Sequence, residues 1–416
     1  MTLDVTYGES WDPVSRTVSG PMSRQRAAAR DAAGEQYAVV LREEGHPQPA
    51  AVLHVAWAQG YFGIWAYDDR GRRTREIDLR RLEPGELFLR HLAQWLYDTD
   101  DMAEFAAEAG RILTDLHPDG RGRKVCEPKG VRGGSTHTLP DVPENQRRVP
   151  APEFGDWGRA VALATDGRPT GPLRETPTPE TGGDRDTGTT ATPVPSWRPP
   201  APMRPHHLAG TFTPGTRFSP PYDGPVGPYI VGDVVDAGPL RLPTGRVVAC
   251  DPGWDGPVEP FTVTVPPGEY RVEVAMAAYA SEYEGAHIRL EDYTAARVLV
   301  CEKPTETWEL ALRPGEDPRT LRDGEFYGFG VDTGTGCFVD AAAAERLTGR
   351  QDTIPDDDLP DGILVLDDPR SGGNLIAYPS GLGDGTYPVW IGRAGDGEVT
   401  CLVADMLILH GRELLP

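Results

Sequence analysis

The stretch FTVTVPPGEYRVEVAMAAY, residues 261–279, alternates apolar and polar positions on both sides of a Pro-Pro-Gly turn. Alternation with a period of two places one face of a strand in a core, so the stretch predicts a hairpin of two strands closed by the turn. The same rhythm runs through the C-terminal half: LRLPTGRVVACDP, ARVLVCEK, TWELALR, FYGFGVDTG, GILVLDDP, NLIAYPS, YPVWIGR and EVTCLVADMLIL are strand-like, parted by PTG, GTG, SGG, GDG and AGDG turns. One segment, DAAAAERL (340–347), has a helical composition. Many short strands with Gly/Pro turns predict a β-sandwich or open barrel over 226–412.

Upstream, YAVVL (37–41), AVLHVAW (51–57), YFGIWAYD (61–68) and RTREIDL read as antiparallel strands, and LFLRHLAQWLYD as another. DMAEFAAEAGRIL has the apolar spacing of a short helix opened by Asp100 or Asp101. These features predict a small antiparallel α+β domain over 35–165. Residues 1–34 read as a flexible lead-in, with SRQRAAARDAA able to form one or two helical turns. Residues 166–205 hold 10 prolines and 8 threonines and almost no aliphatic side chains, which predicts a disordered linker extending to about 225. The fold class expected is mainly β with minor α.

The 416-residue chain carries a formal charge of −23, of which −19 falls in residues 206–416. That sign repels phosphate backbones and steers basic surfaces, so a protein partner with a basic face is favoured and nucleic acid is not. No apolar run approaches the roughly 20 residues of a membrane span, so no membrane partner is expected. Five cysteines, an odd number outside CxxC or CxxH spacings and without an apolar leader, suit a cytoplasmic protein with reduced thiols. Cys250, Cys301, Cys337 and Cys401 sit in apolar strand patterns and read as core.

Candidate chemistry gathers in GVDTGTGCFVD (330–340). Asp340 falls where a helix N-cap for AAAAERL belongs, with Gly334 and Gly336 permitting a tight turn. On a second reading, Asp332 and Asp340 ligate a hard cation or form an acid/base pair, with Asp384 of SGLGDGTYPVW as a third carboxylate. The loop lacks the alternating acids and terminal glutamate of a calcium hand. Tyr387 and Trp390 are candidate binding aromatics beside Asp384, and Trp65 and Trp95, near Trp57, Tyr61 and Phe62, are candidates for an aromatic contact face. The acidic run PDDDLPDG (355–362) reads as a solvated loop. No residue set is assigned to a metal, and no nucleotide or cofactor fingerprint is present.

PTGRVVACDP, VPPGEYRVEV, AARVLVCEK, GVDTGTGCFVDAAAAERL and GDGTYPVWIGRAGDGEVTCLVADMLIL, from about 238 to 409, resemble an uncharacterised bacterial domain-of-unknown-function family. The resemblance implies no activity. Similar domains accompany interbacterial toxin systems, and YFGIWAYDDRGRRTREIDL is similar to the sheets of immunity proteins. The function expected is therefore non-enzymatic recognition of an immunity or toxin-neutralising kind. The alternative is a metal-assisted or carboxylate-dependent hydrolase or lyase using Asp332, Asp340 and Asp384.

Overall fold

The computed structural model describes residues 2–165, 171–176, 197–224, 226–283, 285–349 and 362–416. The protein is mostly β, and it divides into two units, Met1–Pro200 and Ala201–Pro416.

The first unit is built on one antiparallel meander. Strands Tyr37–Glu43, Pro49–Ala56, Tyr61–Tyr67, Arg73–Arg80, Glu86–Leu96, Gly110–Leu116, Gly122–Val131 and Ser135–Leu139 pair in sequence order. The lead-in expected over 1–34 is instead part of this sheet. Leu3–Asp12 pairs with Tyr37–Glu43 and with Thr17–Met22, and its Val5, Tyr7 and Trp11 are buried. Helix Arg24–Ala33 follows, opened by the Ser23 hydroxyl on the Arg26 N–H and closed by Gly34 at φ 75°. The linker region also contributes. Leu173–Glu175 adds a parallel strand beside Leu3–Val5, and Trp197 stacks on His54 at 4.2 Å. The helix expected near 102–113 does not form. Gly110–Leu116 takes ladder partners on both sides, so pairing outweighs local helical preference there.

One face of the meander buries an apolar core, covered in part by Trp157, Ala160 and Val161. The other face carries polar groups that are buried too. Asp78 and Arg80 form a two-pronged ion pair at 2.6 and 2.8 Å, and His91 Nδ1 lies 2.8 Å from Asp115. Gly63 admits the Tyr61 ring, whose hydroxyl would lie 2.5 Å from an added Cβ. His54 is fully buried between Trp65 and Trp197, with neither ring nitrogen hydrogen-bonded among the described residues. Burial pushes its imidazole down to about 3, which keeps it neutral.

Among the described residues the second unit contains two sheets, with a half-barrel in this region. The larger is dominated by the hairpin Gly268–Tyr283 and Ala286–Leu299, to which Val399–Asp405, Gly385–Arg393 and Thr307–Leu310 add in turn. The hairpin expected around Pro266-Pro267 is not the one observed. Gly268–Tyr283 has Val235–Leu242 on one side and Ala286–Leu299 on the other, and Thr264 makes only an isolated bridge to Arg246. Two prolines without N–H groups cannot close that ladder.

The smaller sheet holds Val247–Cys250, Thr335–Asp340, Asn374–Pro379 and Leu364–Asp367. Its strands alternate as a period of two requires. Val247, Ala249, Phe338, Ile376 and Tyr378 enter the main core. Val248, Cys250, Cys337, Val339 and Leu375 pack in a second cluster with Ala343, Ala344 and Leu347 of helix Ala341–Leu347. Residues 206–225, counted with the linker in the sequence reading, hold the short helix Leu208–Thr211 and strand Arg217–Phe218. The acidic run at 355–361 lies outside the described residues.

Asp405 supplies a pH test of this packing. Its buried carboxylate accepts from the Leu407 N–H (2.9 Å) and Trp390 Nε1–H (3.3 Å), and burial pushes it up to about 6. An unfolded aspartate titrates near ~3.9, so the native state holds the extra proton between those values. Its contribution to stability is therefore complete below pH ~4 and is lost as pH rises through about 6. Asp405→Asn should flatten that slope; removing the buried charge is worth up to about 3 kcal/mol at neutral pH, offset in part because the Asn amide would face the Trp390 Nε1–H as a second donor. Urea melts of both proteins across the range provide the check, and parallel pH profiles would refute the assignment.

Candidate functional site

Strand Val247–Cys250 runs into the turn Asp251-Pro252-Gly253-Trp254, and this turn organises a cleft. The Asp251 carboxylate accepts from the Gly253 N–H (2.7 Å), the Asp332 N–H (2.7 Å), the Thr333 N–H (2.9 Å) and the Thr333 hydroxyl (2.8 Å). One buried side chain thus ties the 251–254 turn to the GVDTGTG turn. Carboxylates accepting several N–H groups are held firmly, which fixes the cleft wall.

The cleft has a volume of about 420 Å³ and is lined by Trp254, Glu259, Arg313, Phe329, Gly330 and Asp332. Trp254 is 48% exposed, a high value for so large an apolar side chain. Its indole lies over Gly256, where an added Cβ would come within 2.6 Å of Nε1. Asp332 and Glu259 are exposed. Arg313 is committed to the frame, donating to the Gly328 carbonyl (3.1 Å) and the Ala249 carbonyl (2.9 Å). Glu316, half-buried, is pushed up by burial, while the Arg313 N–H at 2.7 Å and the Arg313 charge oppose the shift. The rim therefore offers carboxylates and an open aromatic face to whatever enters. A larger depression of about 800 Å³ includes Trp308, Trp390 and Met203, but its Glu309 and Arg393 are already paired at 2.7 Å.

The three aspartates singled out in the sequence occupy different settings. Asp340 is fully buried and caps helix Ala341–Leu347 through the Ala342 N–H at 2.8 Å. Its other contacts are the Thr244 N–H (3.0 Å) and the Thr244 hydroxyl (3.0 and 2.9 Å). The strand Thr335–Asp340 alone spans roughly 17 Å at ~3.4 Å per residue, so Asp340 stands well away from the Asp332 turn. Asp384 is closer to that turn. Val331 pairs with Gly385, which sets Asp384 opposite Asp332 just beyond the ladder, and both are exposed. Among the described residues, no group of three or more His, Cys, Asp or Glu is arranged to hold a metal ion.

The aromatic candidates also separate. Tyr387 is buried in the main core and donates to the Gly383 carbonyl at 2.7 Å. Trp390 packs in another cluster with its indole on Asp405. In the first unit, the Arg73 guanidinium lies 3.6 Å from the Trp65 ring centroid and 5.2 Å from that of Phe105, which meets Trp95 at 4.9 Å. A guanidinium and a phenylalanine thus bridge the two tryptophans. Asp251, Trp254 and Glu259 went unnoticed in the sequence, although a tryptophan inside the Gly/Pro-rich CDPGWDGPVEP offered the signal.

Among the described residues, no helix is long and apolar enough to cross a membrane. No curated protein and no solved structure matches the chain. Residues 240–404, which supply most of the two sheets and the cleft, match the family described as "Protein of unknown function (DUF4241)", in keeping with the resemblance of their motifs.

Proposed function

We propose that the C-terminal unit is a non-enzymatic recognition module that receives a lysine or arginine side chain of a basic protein partner in the Trp254 cleft. The observation that carries this reading is the exposed Trp254 indole beside the exposed carboxylates of Glu259 and Asp332. An aromatic face next to anionic groups attracts a cation through the ring quadrupole and through charge. The −19 charge of residues 206–416 adds long-range steering toward a basic surface. Neutralisation of a basic toxin domain is the form of recognition that we favour. The hydrolase alternative is less well supported, because Asp340 is used as a helix cap.

The test is fluorescence anisotropy with a labelled arginine- and lysine-rich peptide at several ionic strengths. Binding should weaken as salt rises, and Trp254→Ala should weaken it by about tenfold, since a partly desolvated cation–π contact contributes up to ~2 kcal/mol. Asp332→Asn and Glu259→Gln should each give a smaller loss. An unchanged affinity for Trp254→Ala would eliminate the cleft as the site.

A further inference from the structure

The structure assigns Cys250 and Cys337 as a thiol pair that closes reversibly to an intramolecular disulfide when the protein meets a peroxide. The two residues lie directly opposite each other in the antiparallel ladder of Val247–Cys250 and Thr335–Asp340, with their Sγ atoms 3.5 Å apart. Neighbouring carbonyls in that strand point away from the partner: Val247 to the Phe261 N–H and Ala249 to Arg313. Alternation along the ladder then makes Cys250 and Cys337 a hydrogen-bonded pair, with Cα atoms about 5.5 Å apart, inside the range of disulfides. The Cβ atoms of a hydrogen-bonded pair stand about 5–5.5 Å apart, beyond the ~3.5–4.5 Å of a relaxed disulfide. The bond must therefore draw the strands together, and such strained disulfides are readily reduced.

Access sets the order of events. Cys250, 5% exposed, borders the cleft, whereas Cys337 is fully buried, and burial pushes its thiol well up. Cys250 reacts first: its sulfur attacks one peroxide oxygen, the O–O bond breaks, and a sulfenic acid and one water result. Cys337 then attacks the Cys250 sulfur, its proton joins the departing hydroxide as a second water, and the S–S bond forms. Two thiols are oxidised and one peroxide is reduced. Asp251, next in sequence to Cys250, holds the 332–333 turn, so the bond forms directly behind the cleft wall. Cys126, Cys301 and Cys401 are free and have no such cross-strand sulfur among the described residues.

The experiment treats the full chain with stoichiometric hydrogen peroxide, blocks remaining thiols in denaturant and maps the peptides without reduction. The expected result is a mass loss of about 2 Da before alkylation, a peptide linking Cys250 to Cys337, and full recovery of both thiols in dithiothreitol. A Cys126→Ser/Cys301→Ser/Cys401→Ser variant should behave identically. Cys337→Ala should lose the link and, given a second equivalent of peroxide, carry Cys250 onward to the sulfinic acid. Should that variant fail to fold, the wild-type peptide map decides alone. Five alkylatable thiols after treatment, a link to another cysteine, or a wild-type Cys250 that ends as sulfinic acid would each overturn the assignment.

Discussion

Asp340→Ala is expected to lower the stability of the C-terminal unit by about 2–4 kcal/mol, more than loss of a helix cap alone, which typically costs ~1 kcal/mol. The excess comes from Thr244. Its N–H and hydroxyl both end on the Asp340 carboxylate, which is wholly buried, so alanine strands donors on two segments at once. Asp340→Asn should recover only part of the loss. Its one oxygen can serve the Ala342 N–H, but its amide would then face the Thr244 N–H as a second donor. Urea unfolding of the three proteins measures the difference, and an alanine variant within ~0.5 kcal/mol of wild type would show that the cap and its Thr244 contacts are dispensable. Wild-type melting should also be the same in chelator and in millimolar calcium, because every Asp340 contact just described is supplied by the protein.

Arg80→Leu should destabilise the N-terminal unit by about 3–5 kcal/mol. Asp78 and Arg80 are paired in the interior of the outer face, their side chains only 6% and 3% exposed. Burial raises the Asp78 carboxyl, and the Arg80 charge and hydrogen bonds oppose that rise. Without Arg80 the folded-state value climbs further, so the variant should be most stable at low pH and lose stability as pH rises past the unfolded aspartate value of ~3.9. The double variant Asp78→Leu/Arg80→Leu should regain most of the loss, since apolar replacement of both partners leaves no buried charge. Urea melts at acidic and neutral pH separate these outcomes. A single variant as stable as the double one would mean that the pair does not restrain its own burial cost.

The cleft was only half legible in the sequence. GVDTGTGCFVDAAAAERL announced a strand, a turn and a capped helix, and Asp340 caps that helix, because a cap is decided within a few residues of chain. The partner of the turn was hidden. Asp251 lies 81 positions from Asp332, and nothing in CDPGWDGPVEP marks its carboxylate as the acceptor for that turn. The aromatic grouping failed for a related reason. Tyr387 and Trp390 are three residues apart on one strand, so they point to opposite faces and join different cores.

The sequence by itself determined that the protein is mainly β and that a helix capped by Asp340 follows the GVDTGTGCFVD strand and turn. Alternation, positive φ at glycine and capping are properties of neighbouring residues, so they survive without knowledge of the rest of the chain. Tertiary structure decided what pairs with what. It drew Leu3–Asp12 and Leu173–Glu175 into a sheet where a lead-in and a linker were expected. It overrode helical preference at Gly110–Leu116 and set Cys250 against Cys337 across 87 positions. Strand pairing is settled by long-range burial and ladder completion, which no local window contains, and the Trp254 cleft is one of its products.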